Sequence, residues 1–588
     1  MKKKLIALII ATALLIMCSC GTENEASVST DSSDTSTVTE AVQAETDAVE
    51  TDTANSTDTA LSEYFADGDF KNVSKEDADA TITLSGSEGI ISDTTLGSSG
   101  ENVTVTAKGV YAVSGTSDGV SIVVCDETES GNIYLLLDGV SMTNSSAPCI
   151  YVEKADKVII RAIGENSLAY TASSAELDGA IYAADDITLN GDGSLDIASS
   201  LHGIVGKDDV KVAGSTLNID ASSIGIKAND SVRVGGGTAT IDSGHDGIQV
   251  SNSNGDPYFY MENGTLTINA GYDGIDVGTD AAEVSSFVLL AGGILDITSG
   301  GGSDSSKSDT SQKGIKCDGT ITNEGAALNV SSADDAVHSS TDVSISGGTS
   351  SLSSSDDGIH ADNALSISGG TVVVSKSYEG LEAYEVTISG GDVSIASSDD
   401  GINAAGGSDS SSTESIPTFW GESSSTGTLT ISGGNLYVNA QGDGLDSNGS
   451  LYVTGGTVIV EGPTGSDNGA LDIGENGCVA SITGGTVLAI GSSGMAVNFN
   501  DGSVCSALVS LSGSAGDTIT VDDGSGFSFT TSKSFECAVY ASENMQSGST
   551  YTISTETSEA VIDFSSSLYY STVSSMGGGM GSAPGGMR

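Results

Sequence analysis

Two sets of cation-ligating side chains recur at a fixed spacing. Asp335, Asp357, Glu379, Asp400 and Asp443 each stand just before a repeated glycine, replaced once by Ala336. His338, His360, Glu382, Asn403 and Asp446 each stand two positions after it, and Asp273 with Asp276 repeats the pattern earlier. Carboxylate and amide oxygens suit a hard divalent cation such as Ca²⁺, which accepts six to eight oxygens in loose geometry, whereas imidazoles suit it poorly. Asp before Gly is also ordinary turn chemistry: the carboxylate binds nearby backbone N–H groups and Gly supplies an open dihedral. The second set has no such role, because it falls inside an apolar-alternating segment where Asp, Asn and Glu are disfavoured. Metal binding is the reading that covers both.

What positions these residues is a repeat of about 22 residues, of the form Asp-Gly-Ile-x-Ala, Leu-x-Ile-x-Gly-Gly-Thr, Val-x-Val. Its glycine position runs through Gly314, Ala336, Gly358, Gly380 and Gly401 almost without drift. Within one unit the apolar residues form alternating pairs, Ile359/Ala361, Leu365/Ile367 and Val372/Val374, and period-two alternation means strands. Three short strands per unit describe one coil of a three-sided parallel β-helix, of which about 12 are expected, stacked at roughly 4.8 Å. Stacking turns each repeat position into a vertical column, with the second set facing outward. Carboxylates one rung apart then repel by roughly 3–4 kcal/mol per pair at an effective dielectric of 20. A bound Ca²⁺ is the expected relief.

Composition agrees with an all-β chain. The 588 residues carry 80 acidic and 19 basic side chains, a formal charge of −61, with 78 Gly and 5 Pro. Such a polyanion repels nucleic acid and anionic headgroups, which excludes both as default partners. Oligomeric state is not legible.

The chain begins with Lys2, Lys3 and Lys4 and an apolar run from Leu5 to Met17, too short for a comfortable membrane span. The run ends Met-Cys-Ser-Cys20-Gly, similar to a lipobox, so residues 1–20 read as a lipoprotein signal, Cys20 as the lipidation point with Cys18 competing, and the lipid as the only membrane contact; simple cleavage with secretion is the alternative. Residues 21–60, rich in Ser, Thr, Asp, Glu and Ala, are expected to be a disordered tether. The β-helix is placed at 61–495, its first coils irregular, followed by a small β cap at 496–565 and a disordered Gly/Met-rich tail at 566–588. Export permits disulfides, with Cys125–Cys149 and Cys505–Cys537 as candidate pairs and Cys317 and Cys478 as buried fillers.

The Asp-Asp-Gly-Ile-x-Ala and Ile-Ser-Gly-Gly-Thr units, behind a lipoprotein-type leader and ahead of a Gly/Met-rich tail, resemble the calcium-associated carbohydrate-binding β-helix family of clostridial surface proteins. The resemblance spans roughly residues 75 to 565. It implies a right-handed β-helix akin to polysaccharide lyases, bound calcium, and binding of plant cell-wall polysaccharide, pectin-like or cellulose-like. Metal binding carries over to the acidic and Asn positions named above.

Sugar binding usually needs exposed aromatics. Phe419 and Trp420, and Tyr258 and Tyr260, fall in apparent insertions, and Tyr378 and Tyr384 flank the acidic column. The alternative reading is a calcium-dependent pectate-type lyase, in which Lys316 or Lys227, both in the second column, removes the proton beside a uronate carboxylate. Against it stands the absence of an evident basic cluster facing the acids. A passive surface stalk or adhesin is the third reading.

Overall fold

The computed structural model describes residues 64–129, 131–279, 285–308, 310–405, 427–474 and 477–571. These form a parallel β-solenoid of about 14 turns, rather more than the repeat alone counts. The additional turns come from the N-terminal region: Asn102–Val105, Ser121–Cys125 and Ile150–Lys154 lack the repeat yet pair in parallel as successive rungs. Apart from a short 3-10 turn at Lys75–Asp77, the regular elements are strands.

Each turn contributes to three ladders. Sheet 1 contains Gly179–Ala183, His202–Gly206, Ile226–Ala228 and their successors through Leu445–Ser447. Sheet 2 contains Lys157–Ala162, Ile187–Gly191 and the strands above them. Sheet 3 contains Glu165–Tyr170, Ser194–Ser199 and theirs. The alternating residues do what their period requires: Ile359, Ala361, Leu365, Ile367, Val372 and Val374 are all buried in one continuous core. On the outer face of sheet 3, amides separate carboxylates, as where Asn218 donates to Asp196 at 2.7 Å and Asn329 donates to Asp296 at 2.6 Å.

The repeat glycines serve close approach, not an open dihedral. A Cβ on Gly380 would lie 2.3 Å from the carbonyl oxygen of Gly401 on the next rung and as close to Ile395. Positive φ belongs instead to the second glycine of each Gly-Gly turn, such as Gly348 at 71° and Gly370 at 78°.

Residues 64–79 lie across the outer face of sheet 2. Arg233 donates to the carbonyl of Tyr64 at 2.6 Å and Arg161 to Asn72 Oδ1 at 2.6 Å. Asp69, fully buried, accepts from Thr188 at 2.6 Å and pairs with Lys157. This strap covers part of the expected sugar platform. Tyr258 and Tyr260 are not in a loop but in strand Tyr258–Met261, a rung of sheet 2. Tyr260 is 2% exposed and stacks on Tyr64 at 3.9 Å, while Tyr258 stacks on Phe287 at 4.7 Å.

At the other end, Phe535–Ser542 pairs antiparallel with Ala480–Gly491, ending the parallel ladder. A four-stranded antiparallel sheet and a second small core follow. The last strand, Leu568–Tyr570, pairs with Cys505–Gly513, so ordered structure continues past the expected boundary at residue 565. All six described cysteines are free. Cys505 is opposite Ser542 and Cys537 opposite Ser510, far apart along one ladder, while Cys149 faces the core and Cys125 does not. Cys317 is a buried filler as expected, but Cys478 is only half-buried.

Candidate functional site

Register places the second set in one lane along the outside of sheet 1. Lys227, Gln249, Asp276, Lys316, His338, His360, Glu382, Asn403 and Asp446 are direct neighbours on successive rungs. Facing outward does not leave them all exposed, since His360 is 1% exposed and His338 8%.

The first set forms a parallel column in the adjoining turns, and the turn chemistry is real. Except at Glu379, which accepts from the Asn403 side chain, one oxygen of each carboxylate accepts a backbone N–H from the following rung: Asp335 from Asp357 at 3.1 Å, Asp357 from Glu379 at 3.2 Å, Asp400 from Asp443 at 2.6 Å and Asp443 from Gly469 at 2.5 Å. Asp273 does the same for Lys313 at 2.7 Å. The column therefore ties coil to coil, and leaves the second oxygen of several members for other use.

The two columns divide into a part neutralised from within and a part that is not. Lys313 occupies the first column one rung before Asp335, with its Nζ 2.5 Å from Asp335 Oδ2 and 3.2 Å from Asp334. His338 Nδ1 lies 2.9 Å from the same Asp335 oxygen. Burial opposes ionisation of Asp335, but the Lys313 ammonium and His338 outweigh it and hold the carboxyl far below its usual range. Lys307 pairs with Asp334 at 3.2 Å and with Asp356. His360 is enclosed by Glu382 at 2.8 Å, Asp362 at 3.1 Å and Asp357 at 3.4 Å. Burial alone would lower its pKa, yet these carboxylates raise it, so the ring is an imidazolium. A basic cluster thus does face the acids on these rungs, contrary to the sequence reading. Lys313 was legible, since it directly precedes Gly314 and so belongs to the column.

Above His360 the picture changes. Glu379, Asp400, Asp443 and Asp446 have no ion-pair partner among the described residues. Burial first, then neighbouring carboxylates, push Glu379 up to about 8, Asp400 to about 7, and Asp443 and Asp446 to about 6. Asn403 donates to Glu379 at 2.9 Å, while its own Oδ1 is buried without a hydrogen bond. Asp399 and Asp472 add to the same charge and escaped the column reading because they lie beside the repeat positions.

The fit to Ca²⁺ divides accordingly. Among the described residues, three groups bring ligand atoms within 4.8 Å of one another: Asp334/Asp335/Asp356, Asp357/His360/Glu382 and Asp186/Asp208/Asp209. The first is filled by Lys307 and Lys313, the second contains its own imidazolium, and the third faces Lys211 and Arg233. Asp273 and Asp276 share Lys316, at 3.9 and 3.1 Å. Each therefore has a cation beside it, although burial, then neighbouring carboxylates, still push Asp208 and Asp273 up to about 7 and raise Asp357. Glu379, Asp400, Asn403, Asp443 and Asp446 suit Ca²⁺ by donor chemistry, being all oxygen, unneutralised and partly buried, with an amide oxygen to spare, but they are spread along the rungs and no three of their carboxylates bring oxygens within 4.8 Å of one another.

Lys316 is poorly suited to remove a proton. Burial would lower its pKa, but Asp276 and Asp273 raise it, which keeps the ammonium charged. Of the expected sugar contacts, Tyr378 is 47% exposed beside the column, its hydroxyl bonded to Asp399 and pushed up to about 12 chiefly by that bond. Tyr384 is half-buried on the adjoining strand. Phe419 and Trp420 lie outside the described residues, as do Cys20 and the leader.

Comparison with known proteins adds to this geometry. A family model described as carbohydrate-binding domain-containing protein matches residues 99–358 and 353–401. The chain belongs to this carbohydrate-binding domain family. A carbohydrate-binding domain-containing protein of Acetivibrio thermocellus is 32% identical over 132 residues, 21% of this chain. The match takes in 46% of that relative, so the chain spans about half its length. A solved structure of a polysaccharide lyase-like protein from C. thermocellum, a gadolinium derivative, is 27% identical, covering 43% of this chain and 96% of its own, at a TM-score of 0.33.

Proposed function

We propose that this protein is a calcium-associated polysaccharide-binding protein, held at the bacterial surface by a lipid on Cys20, that recognises acidic, pectin-like plant cell-wall polymer. Family membership supports carbohydrate as the ligand class. The observation that carries the metal is the run Glu379, Asp400, Asn403, Asp443 and Asp446, whose four carboxyls are driven toward protonation by burial and then by neighbouring carboxylates, with no ion-pair partner among the described residues. Ca²⁺ held there would supply positive charge that a uronate carboxylate can share, which answers the repulsion between a polyanionic protein and a polyanionic polymer. The chain's own part is to space oxygens at the rung interval along one face. A binder is favoured over a lyase because Lys316 is committed to Asp276 and Asp273.

The test is retention on immobilised polygalacturonate with millimolar Ca²⁺ and then with EGTA, beside calorimetric titration of CaCl₂ into the full chain. Calcium-dependent retention, lost in the Asp443→Asn/Asp446→Asn variant without appearance of unsaturated product, is expected. Retention indifferent to EGTA and to that variant removes calcium from the account, and growth of unsaturated product means a lyase.

A further inference from the structure

The lane that is acidic at its C-terminal end has a different chemistry at its start. There it runs Thr104, Val123, Tyr151, Tyr182 and Val205 on successive rungs of sheet 1. Around Tyr151 the surface opens into a cleft of about 570 Å³, within the range of small-ligand sites. Val123 and Tyr151 give its lining an apolar part, and Asn102, Thr104, Glu127 and Glu153 a polar one.

Tyr151 is held in place rather than loose. Its ring stands edge-on to Tyr182 at 6.0 Å and 65°, and the Tyr182 ring is in turn covered by the Lys207 ammonium at 5.6 Å. Tyr182 is not part of the cleft lining, so the cleft is the Tyr151 side of this pair.

We infer that this cleft is a second glycan site, independent of metal, that stacks a neutral pyranose unit on Tyr151. A pyranose with equatorial hydroxyls has an apolar C–H face and a polar rim, which match a lining that combines an aromatic ring with amide, hydroxyl and carboxylate groups. Charge selects the neutral class. The lining includes two glutamates and no lysine or arginine, and the nearby Lys154 is already spent on Glu127 at 3.1 Å and Glu129 at 2.9 Å. Carboxylates accept hydrogen bonds from sugar hydroxyls but repel a uronate. The cleft lies nine rungs from Glu382, about 43 Å at the strand spacing, so one long polymer carrying both acidic and neutral stretches could engage both sites, with the gain in avidity that entails. The inference rests on the carbohydrate-binding reading but not on its calcium.

The test uses the full chain in EGTA with cellohexaose, xylohexaose and mannohexaose, and with trigalacturonate as the anionic control, each titrated calorimetrically. Binding of at least one neutral hexamer is expected, weakened tenfold or more by Tyr151→Ala and at least threefold by Glu153→Ala, a variant of an exposed residue that leaves folding untouched. Unchanged affinity in both variants, preference for trigalacturonate, or no binding of any neutral hexamer overturns the inference. Calcium-dependent retention on polygalacturonate that persists in Tyr151→Ala leaves the acidic site standing by itself, so failures at the two sites are separable.

Discussion

Asp335 Oδ2 lies 2.9 Å from His338 Nδ1 and 2.5 Å from Lys313 Nζ, which makes one fully buried carboxylate the partner of both an imidazole and an ammonium. Removing it leaves His338 without this partner and Lys313 still paired with Asp334. Asp335→Asn should destabilise the chain in urea unfolding by up to about 3–5 kcal/mol, the cost of breaking a buried ion pair, less whatever the remaining Lys313–Asp334 contact retains. The double variant Asp335→Asn/Lys313→Met should lose less than the single one. Equal losses would mean that the pair is not what the carboxylate supports.

The unpaired upper rungs predict a pH dependence of opposite sense to that of Asp335. Glu379, Asp400, Asp443 and Asp446 keep protons in the folded state up to about 6–8, whereas the unfolded chain releases them near 4. The folded state therefore binds more protons between about pH 4 and 8, and metal-free stability falls as pH rises through that window. Melting in EGTA should give a lower midpoint at pH 8 than at pH 5.5, and Ca²⁺ should raise the midpoint more at pH 8. Below pH 4 the sense reverses, because the lowered pKa of Asp335 contributes stability that is lost as that carboxyl protonates. A midpoint that climbs steadily from pH 5.5 to 8 without metal would contradict the reading.

Tyr260 anchors the strap and not a ligand. Tyr260→Ala removes the stack on Tyr64 and should cost about 3 kcal/mol of stability. Limited proteolysis near Tyr64 should accelerate, while retention on polysaccharide by the folded variant stays within twofold of wild type. A selective loss of retention would return Tyr260 to the sugar contacts.

Gly380→Ala tests the close approach between coils. Its Cβ would sit 2.3 Å from the Gly401 carbonyl oxygen, a backbone atom that cannot rotate away. A loss of about 1–3 kcal/mol is expected from overpacking, and alanine at Gly86, where nothing lies within 4 Å of the added atom, isolates the cost of its φ of 61°.

The repeat made the core and the lanes legible because its period-two pairs admit one stacking, in which Glu382 must neighbour His360 and Asn403. Lane membership does not disclose what lies sideways. Lys307 reaches Asp334 and Asp356 from the segment between two repeat units, and Tyr64 reaches Tyr260 from almost two hundred residues away, contacts that no column of identical positions encodes. Tyr258–Met261 looked like an insertion because its turn is lengthened just before it, although the strand keeps its place in sheet 2. The Tyr151 cleft is not legible in the sequence for a related reason: the early rungs pair without carrying the repeat, so no repeated position marks their outward residues.

The antiparallel strand Phe535–Ser542 has a consequence for how this molecule can grow. By occupying the free edge beyond Ala480–Gly491 it blocks head-to-tail polymerisation of copies into a fibril at that end. A rod of stacked coils capped in this way can be lengthened by adding whole units in its interior, and the number of carboxylate tethers along the face then changes without disturbing the cap.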